Sequence, residues 1–338
     1  MKARSLIRRF GCAVALAAAA VFAVLADATA QPVASPLLVQ QPSLMLPDTG
    51  GRIDHMAVDL PRRHLFVAEL GNGTVDVVDL AAGKVVHRIT GLKEPQGIGY
   101  DAKSDQLMVA SGGDGTLRSY SGADFTARGV LALGDDADNL RIDPRNGHAI
   151  VGYGGGALAI IDLQTMRKLL DIPLAGHPES FRLSDSHVFI NVPDAGQIVV
   201  ADLDSAKVIK IWKPEFSSNF PMILDDGGNL AVVFRGQSKL ALLDGNSGQV
   251  IASANACGDA DDVYFDGDRK FFYLSCGSGE VDVMARDQAG LHVLSRVRTS
   301  PGARTSLFVP EWDRLFVAAR AGVLRSASSI LVFRTSPD

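Results

Sequence analysis

Acids, amides, histidines and arginines gather at seven places along the chain, in each case just ahead of a short aliphatic run. They read Arg52-Ile-Asp54-His55, Glu94-Pro-Gln96-Gly97, Asp136-Ala-Asp138-Asn139, His177-Pro-Glu179-Ser180, Asn219-Phe220-Pro221, Asp259-Ala-Asp261-Asp262 and Arg304-Thr305-Ser306. If the fold brings these places together, the result is a cleft crowded with carboxylates, which repel one another and need protons, cations or arginine partners at neutral pH. An oxygen-rich set would suit a hard divalent cation such as Ca²⁺ or Mg²⁺, and His55 with His177 would tilt it toward a transition metal. A histidine beside a carboxylate is also what proton transfer requires. Against these stands a structural reading, in which Asp136, Asp138, Asp259 and Asp261 cap loops and pair with Arg52 or Arg304. The candidate ligand-binding set is Arg52, Asp54, His55, Glu94, Gln96, Asp138, Asn139, His177, Glu179, Asp261, Asp262 and Arg304. No catalytic residue is nominated: the chain has no G-x-S-x-G elbow, no P-loop and no C-x-x-C-H haem site. Gly152-Tyr-Gly154-Gly-Gly-Ala157 mimics a dinucleotide fingerprint but joins two strands instead of opening a helix.

What would position these groups is a repeat. The phrases RIDHMAVD (52–59), EPQGIGYD (94–101), DADNLRID (136–143), HPESFRLS (177–184), SNFPMILD (218–225), DADDVYFD (259–266) and ARTSLFVP (303–310) end 41 to 44 residues apart. That period fits one four-stranded propeller blade. Within the first copy, Met56 and Val58 alternate on a first strand, His64 to Ala68 form a second, Thr74 to Val78 a third and Val85 to Ile89 a fourth, separated by Gly/Asn/Asp turns. Aligned, the seven phrases place Asp54, Gln96, Asp138, Glu179, Phe220, Asp261 and Thr305 in one column. The next holds His55, Gly97, Asn139, Ser180, Pro221, Asp262 and Ser306, and the one after it is wholly apolar. In propellers the first strand lies innermost, so the two mixed columns border the mouth of the central channel. Asp79, Asp162, Asp202 and Asp244 also recur in register, but each precedes a small or polar turn and reads as an Asx-turn acceptor. A shorter, poorer third strand is expected at Leu117 to Tyr120.

The expected fold is all-β: a seven-bladed β-propeller with four antiparallel strands per blade. The seventh blade has only three strands at the C-terminal end, whereas Leu37 to Leu46 is an apolar segment with no partner. The simplest closure lets this N-terminal segment supply the missing outer strand and cover an exposed edge.

Leu65-Phe-Val-Ala-Glu-Leu-Gly-Asn-Gly-Thr-Val-Asp-Val-Val-Asp-Leu80, with echoes at Leu158 to Leu163 and Ile198 to Leu203, resembles the YVTN β-propeller repeat, and the YncE-like exported group most of all. The signature tetrapeptide is degraded to Phe66-Val-Ala-Glu69 and Phe316-Val-Ala-Ala319. The resemblance implies a platform and not a particular reaction.

Residues 1–30 read as a secretory signal peptide: Lys2, Arg4, Arg8 and Arg9 precede an apolar run from Gly11 to Leu25 and an Ala28-Thr29-Ala30 cleavage site. Residues 31–338 then form a single domain in the periplasm or outside the cell, without membrane insertion after cleavage. The mature part keeps 29 basic and 37 acidic residues, an acidic balance that argues against nucleic acid as a partner. Cys257 and Cys276, the two cysteines it retains, are expected to form a disulfide in an oxidising compartment. The expected function is that of a monomeric binding or scaffold module whose mouth takes a small ligand, a metal or an exported protein. The alternative is a lactonase- or lyase-like enzyme in which a divalent cation at the mouth polarises a carbonyl.

Overall fold

Short strands with alternating apolar residues cannot bury both faces of a small sheet alone, so neighbouring sheets must stack. The computed structural model, which describes residues 36–322 and 327–336, shows the outcome. Seven four-stranded antiparallel sheets form a ring, with no α-helix among the described residues. The innermost strands are Met56–Asp59, Pro95–Asp101, Leu140–Ile142, Phe181–Ser184, Asn219–Leu224, Ala260–Asp266 and Ser306–Val309. The ring closes where the innermost strands of blades seven and one meet.

The core lies between blades. Met108, Ala110 and Leu117 of blade two pack on Leu140, Val151 and Ile161 of blade three, and comparable clusters fill the other gaps. This explains why the column is apolar in every first strand: Met56, Ile98, Leu140, Phe181, Met222 and Val263 are buried, and Leu307 is partly buried.

Closure follows the expected route. Leu38–Leu46 runs antiparallel to Ser328–Thr335 and becomes the outermost strand of blade seven, completing the order begun by Ser306–Val309 and Arg314–Ala319. The third strand of blade two departs from expectation, because Thr116–Ser121 is as long as those of blades one, three and four. Arg118 and Ser119 disguise it in the sequence. Arg118 pairs with Asp114 at 2.8 Å and Ser119 bonds to Gln106 at 3.1 Å, so the polar residues are satisfied locally.

The recurrent aspartates serve turns. Asp79 accepts the N–H groups of Ala81 and Ala82, Asp162 that of Gln164, Asp202 that of Ser205 and Asp244 that of Ser247. The bonds from Ala82 and Ala81 hold the Asp79 carboxyl below the usual range.

Candidate functional site

A bulge at one level of the blades shapes the mouth. In blade one, Asp54 N donates to Ala68 O and Ala68 N donates to His55 O, so two residues face one. Asp138 and Asn139 face Gly152 in the same way, and Glu179 and Ser180 face Asn191. The ladders of blades two, five and six shift register at the same height, between Pro95 and Ile98, Asn219 and Met222, and Ala260 and Asp262. A bulge leaves one residue unpaired and re-aims side chains. Two successive columns can therefore line the mouth, where strict alternation would give one.

Arg52, Asp54, His55, Asp138, Asn139, Glu179, Asp261 and Asp262 converge around a narrow space of about 30 Å³, joined by Ser180, Phe220 and Arg141. Arg304 stands beside them. Its Nη1 lies 2.9 Å from Asp259 Oδ1 and its Nε 3.0 Å from Asp261 Oδ2, and with Arg52 it lines a side cavity of about 140 Å³. His177 backs the ring, its Nδ1 2.7 Å from Gly154 O and its Nε2 3.9 Å from Asp138 Oδ2. The remaining two expected residues are placed differently. Gln96 lies against Gly112 beside Asp136, and Glu94 is exposed on the preceding loop and lines no cavity with the others. Blade two has no room for a polar contribution at the second column, because a Cβ on Gly97 would lie 1.8 Å from Asp138 O.

Three arginines outside the expected set complete the charge pattern. Arg235 follows the second strand of blade five, pairs with Asp261, donates to Ala260 O at 2.6 Å and lies 3.9 Å over the Phe220 ring. Arg141 and Arg182 occupy the column two residues beyond the second mouth column. Their counterparts are Ala57, Gly99, Ile223, Tyr264 and Phe308, so two cations in an otherwise uncharged column were the available signal.

The electrostatics follow from crowding and burial. Burial pushes the Asp54 carboxyl up to about 6 even though His55 and Arg52 favour its charge; Arg52 Nη2 approaches it to 2.9 Å. Burial likewise raises Asp262 to about 6 against the pull of His55. Its carboxylate accepts the Ser306 N–H at 2.7 Å, which stitches blade six to blade seven. The nearby Asp138 carboxylate, aided by the bond to Gly154 O and by Asp136, raises His177 to about 9 despite burial. Asn139 Oδ1 and Ser306 Oγ are buried without a hydrogen-bonding partner, a costly condition for polar atoms.

Glu179 has no ion pair among the described residues, and burial followed by repulsion from Asp138 raises its carboxyl from 4.5 to about 7. A raised carboxyl contributes stability that is fully present below pH 4.5 and is lost as pH rises through about 7. Glu179→Gln should therefore exceed the parent in stability by about 2 kcal/mol at pH 8 and match it near pH 4.5. Urea unfolding at both values checks this, and parallel pH profiles would refute it.

The donors do not fit a resident cation. Among the described residues no three His, Cys, Asp or Glu side chains converge as metal ligands. The carboxylates turn chiefly to arginines, to His177 and to a backbone N–H.

Cys257 and Cys276 are joined by a disulfide, their Cα atoms 5.9 Å apart. Cys257 lies on the loop entering blade six and not on a strand, and its N–H donates to Asp282 at 2.9 Å.

No family model matches the chain, and no curated protein matches it. Solved structures do. A chain of the hydrazine synthase of Kuenenia stuttgartiensis is similar with a TM-score of 0.68 at 16% identity, over 84% of this chain and 96% of that one. A chain of a mitotic checkpoint complex is similar with a TM-score of 0.75 at 13% identity, over 94% of this chain and 99% of that one. At such identities the likeness establishes the propeller fold, WD40-like in architecture, and nothing finer. That fold is compatible with a binding or scaffold role. No helix among the described residues is long and apolar enough to cross a membrane.

Proposed function

We propose that the chain is an exported propeller of the YVTN, YncE-like kind that works as a monomeric docking module, its charged mouth seating polar side chains of another exported protein. The observation that carries this reading is the mismatch between chemistry and room. The mouth concentrates ionisable groups, with Asn139 Oδ1 buried and unsatisfied among them, yet encloses only about 30 Å³. Small-molecule sites are usually several hundred Å³, so such a surface suits groups presented from outside. Charged clusters of this kind steer encounter and select partners. A likeness in fold to a chain from a multi-protein complex is in keeping with it. The enzyme alternative draws no support from carboxylates that are turned to arginines, to His177 and to a backbone N–H.

Export rests on residues 1–30, which lie outside the described residues; 31–338 would be the mature domain. N-terminal sequencing of the protein from the periplasm or medium should begin at Gln31.

The docking reading is tested by crosslinking in that compartment with the parent protein and with His55→Ala and Glu179→Ala. Partners held by the parent should be lost at least tenfold from both variants, at melting temperatures no lower than about 2 °C below the parent. Equal capture by all three would move the interaction surface to the outer blades.

A further inference from the structure

Below the mouth the channel opens into a second cavity of about 410 Å³, lined by first-strand residues of all seven blades, from His55 and Asp262 at its upper end to Tyr100 and Ile142. Arg141 and Arg182 line it side by side. Arg141 Nη1 donates to Leu140 O at 2.6 Å and Arg182 Nη1 to Phe181 O at 3.0 Å. Among the described residues neither guanidinium has a carboxylate within 4.0 Å, whereas Arg52, Arg235 and Arg304 at the mouth all do. The available acid, Asp262, is committed to the Ser306 N–H, and the Tyr264 hydroxyl to Ser306 O. Each guanidinium thus has one hydrogen bond, to a backbone carbonyl, and Arg141 also lies 5.6 Å over the Phe181 ring, which leaves further donors of two neighbouring cations for a ligand in the cavity. The rest of the wall is largely apolar: Met56, Ala57, Ile98, Leu140, Ile223 and Leu307.

Desolvating two like charges together opposes folding, and burial with the neighbouring Arg141 lowers Arg182 to about 9. A ring of this kind needs only an uncharged residue in that column, as the other five blades show.

We propose that the channel is a binding site for an organic monocarboxylate with an apolar body, its carboxylate held between Arg141 and Arg182 and its body against the apolar wall. A guanidinium matches a carboxylate through paired N–H donors, and an apolar wall disfavours compact, strongly hydrated anions. The site adjoins the mouth, with which it shares His55, Arg141 and Asp262, while Arg182 lines the channel cavity and not the mouth.

Decanoate is the probe, with decanol as the uncharged body and inorganic phosphate as the charge without a body. Titration calorimetry on the full protein at pH 7.5 should show one decanoate site, at least tenfold tighter than decanol, from which phosphate does not displace it. Arg182→Met should weaken decanoate about 30-fold while leaving decanol unchanged, the effect of losing a charge-assisted hydrogen bond. The same substitution should raise the melting temperature of the ligand-free protein, because a part-buried charge without a carboxylate partner is removed; a structural arginine would do the reverse. Arg141→Met repeats the test if the first variant does not fold. Decanoate binding no tighter than decanol, binding retained in both variants, or displacement by phosphate would each overturn the proposal. The Arg182→Met outcome leaves the docking reading untouched, because Arg182 does not line the mouth; that reading is scored by crosslinking.

Discussion

Deletion of residues 36–46 should lower the stability of the propeller by about 4 kcal/mol or more, a large share of what a domain normally has. The segment contributes the outermost strand of blade seven and pairs with Ser328–Thr335 from Leu38 opposite Thr335 to Leu46 opposite Ser328. Its two buried leucines face different neighbours. Leu38 packs with Tyr273, Phe308 and Phe333 in the gap toward blade six, and Leu46 with Ile53, Met56 and Ile330 in the gap toward blade one. Each buried leucine is worth roughly 1.5–3 kcal/mol, and their loss would leave Ser328–Thr335 as an uncovered edge prone to association. Leu46→Ala isolates one contact and should cost about 2–5 kcal/mol. Urea unfolding measures both; an unchanged midpoint for the deletion would mean that the ring does not depend on its latch.

Breaking the Cys257–Cys276 bridge should lower stability by up to about 3 kcal/mol, the chain-entropy effect for a loop of 19 residues. Both sulfurs are buried in the cluster shared by blades five and six, among Val233, Leu240, Ala260 and Leu274. The bridge fixes the loop that carries Asp259 toward Arg304, so the mouth should loosen with it. Dithiothreitol should shift the unfolding midpoint of the parent, and the double Cys257→Ala, Cys276→Ala variant should match the reduced parent and ignore the reagent. Free thiols in protein recovered from an oxidising compartment, or no response to reduction, would contradict this.

Most of the fold could be read along the chain. A period of 41 to 44 residues, period-two alternation and an apolar segment without a partner dictate seven blades and their closure, because stacking sheets must bury the same column in every copy. The same alignment marks where core gives way to polar residues at Asp54, Asp138, Glu179 and Asp261. Tertiary structure decided which of these groups meet. The bulge opposite Ala68, Gly152 and Asn191 turns two columns inward, and bulges leave little trace in a hydrophobic pattern. Gln96 is drawn aside to Gly112 although it fits the column by number, and Glu94 stays exposed on the loop ahead of the strand. Arg235 reaches Asp261 from a different blade. Arg141 and Arg182 become neighbours only when the ring curves around its axis. Repeat spacing fixes the height of a residue on its blade, whereas the reach of a long side chain across blades, and the charge it finds there, belong to the closed ring.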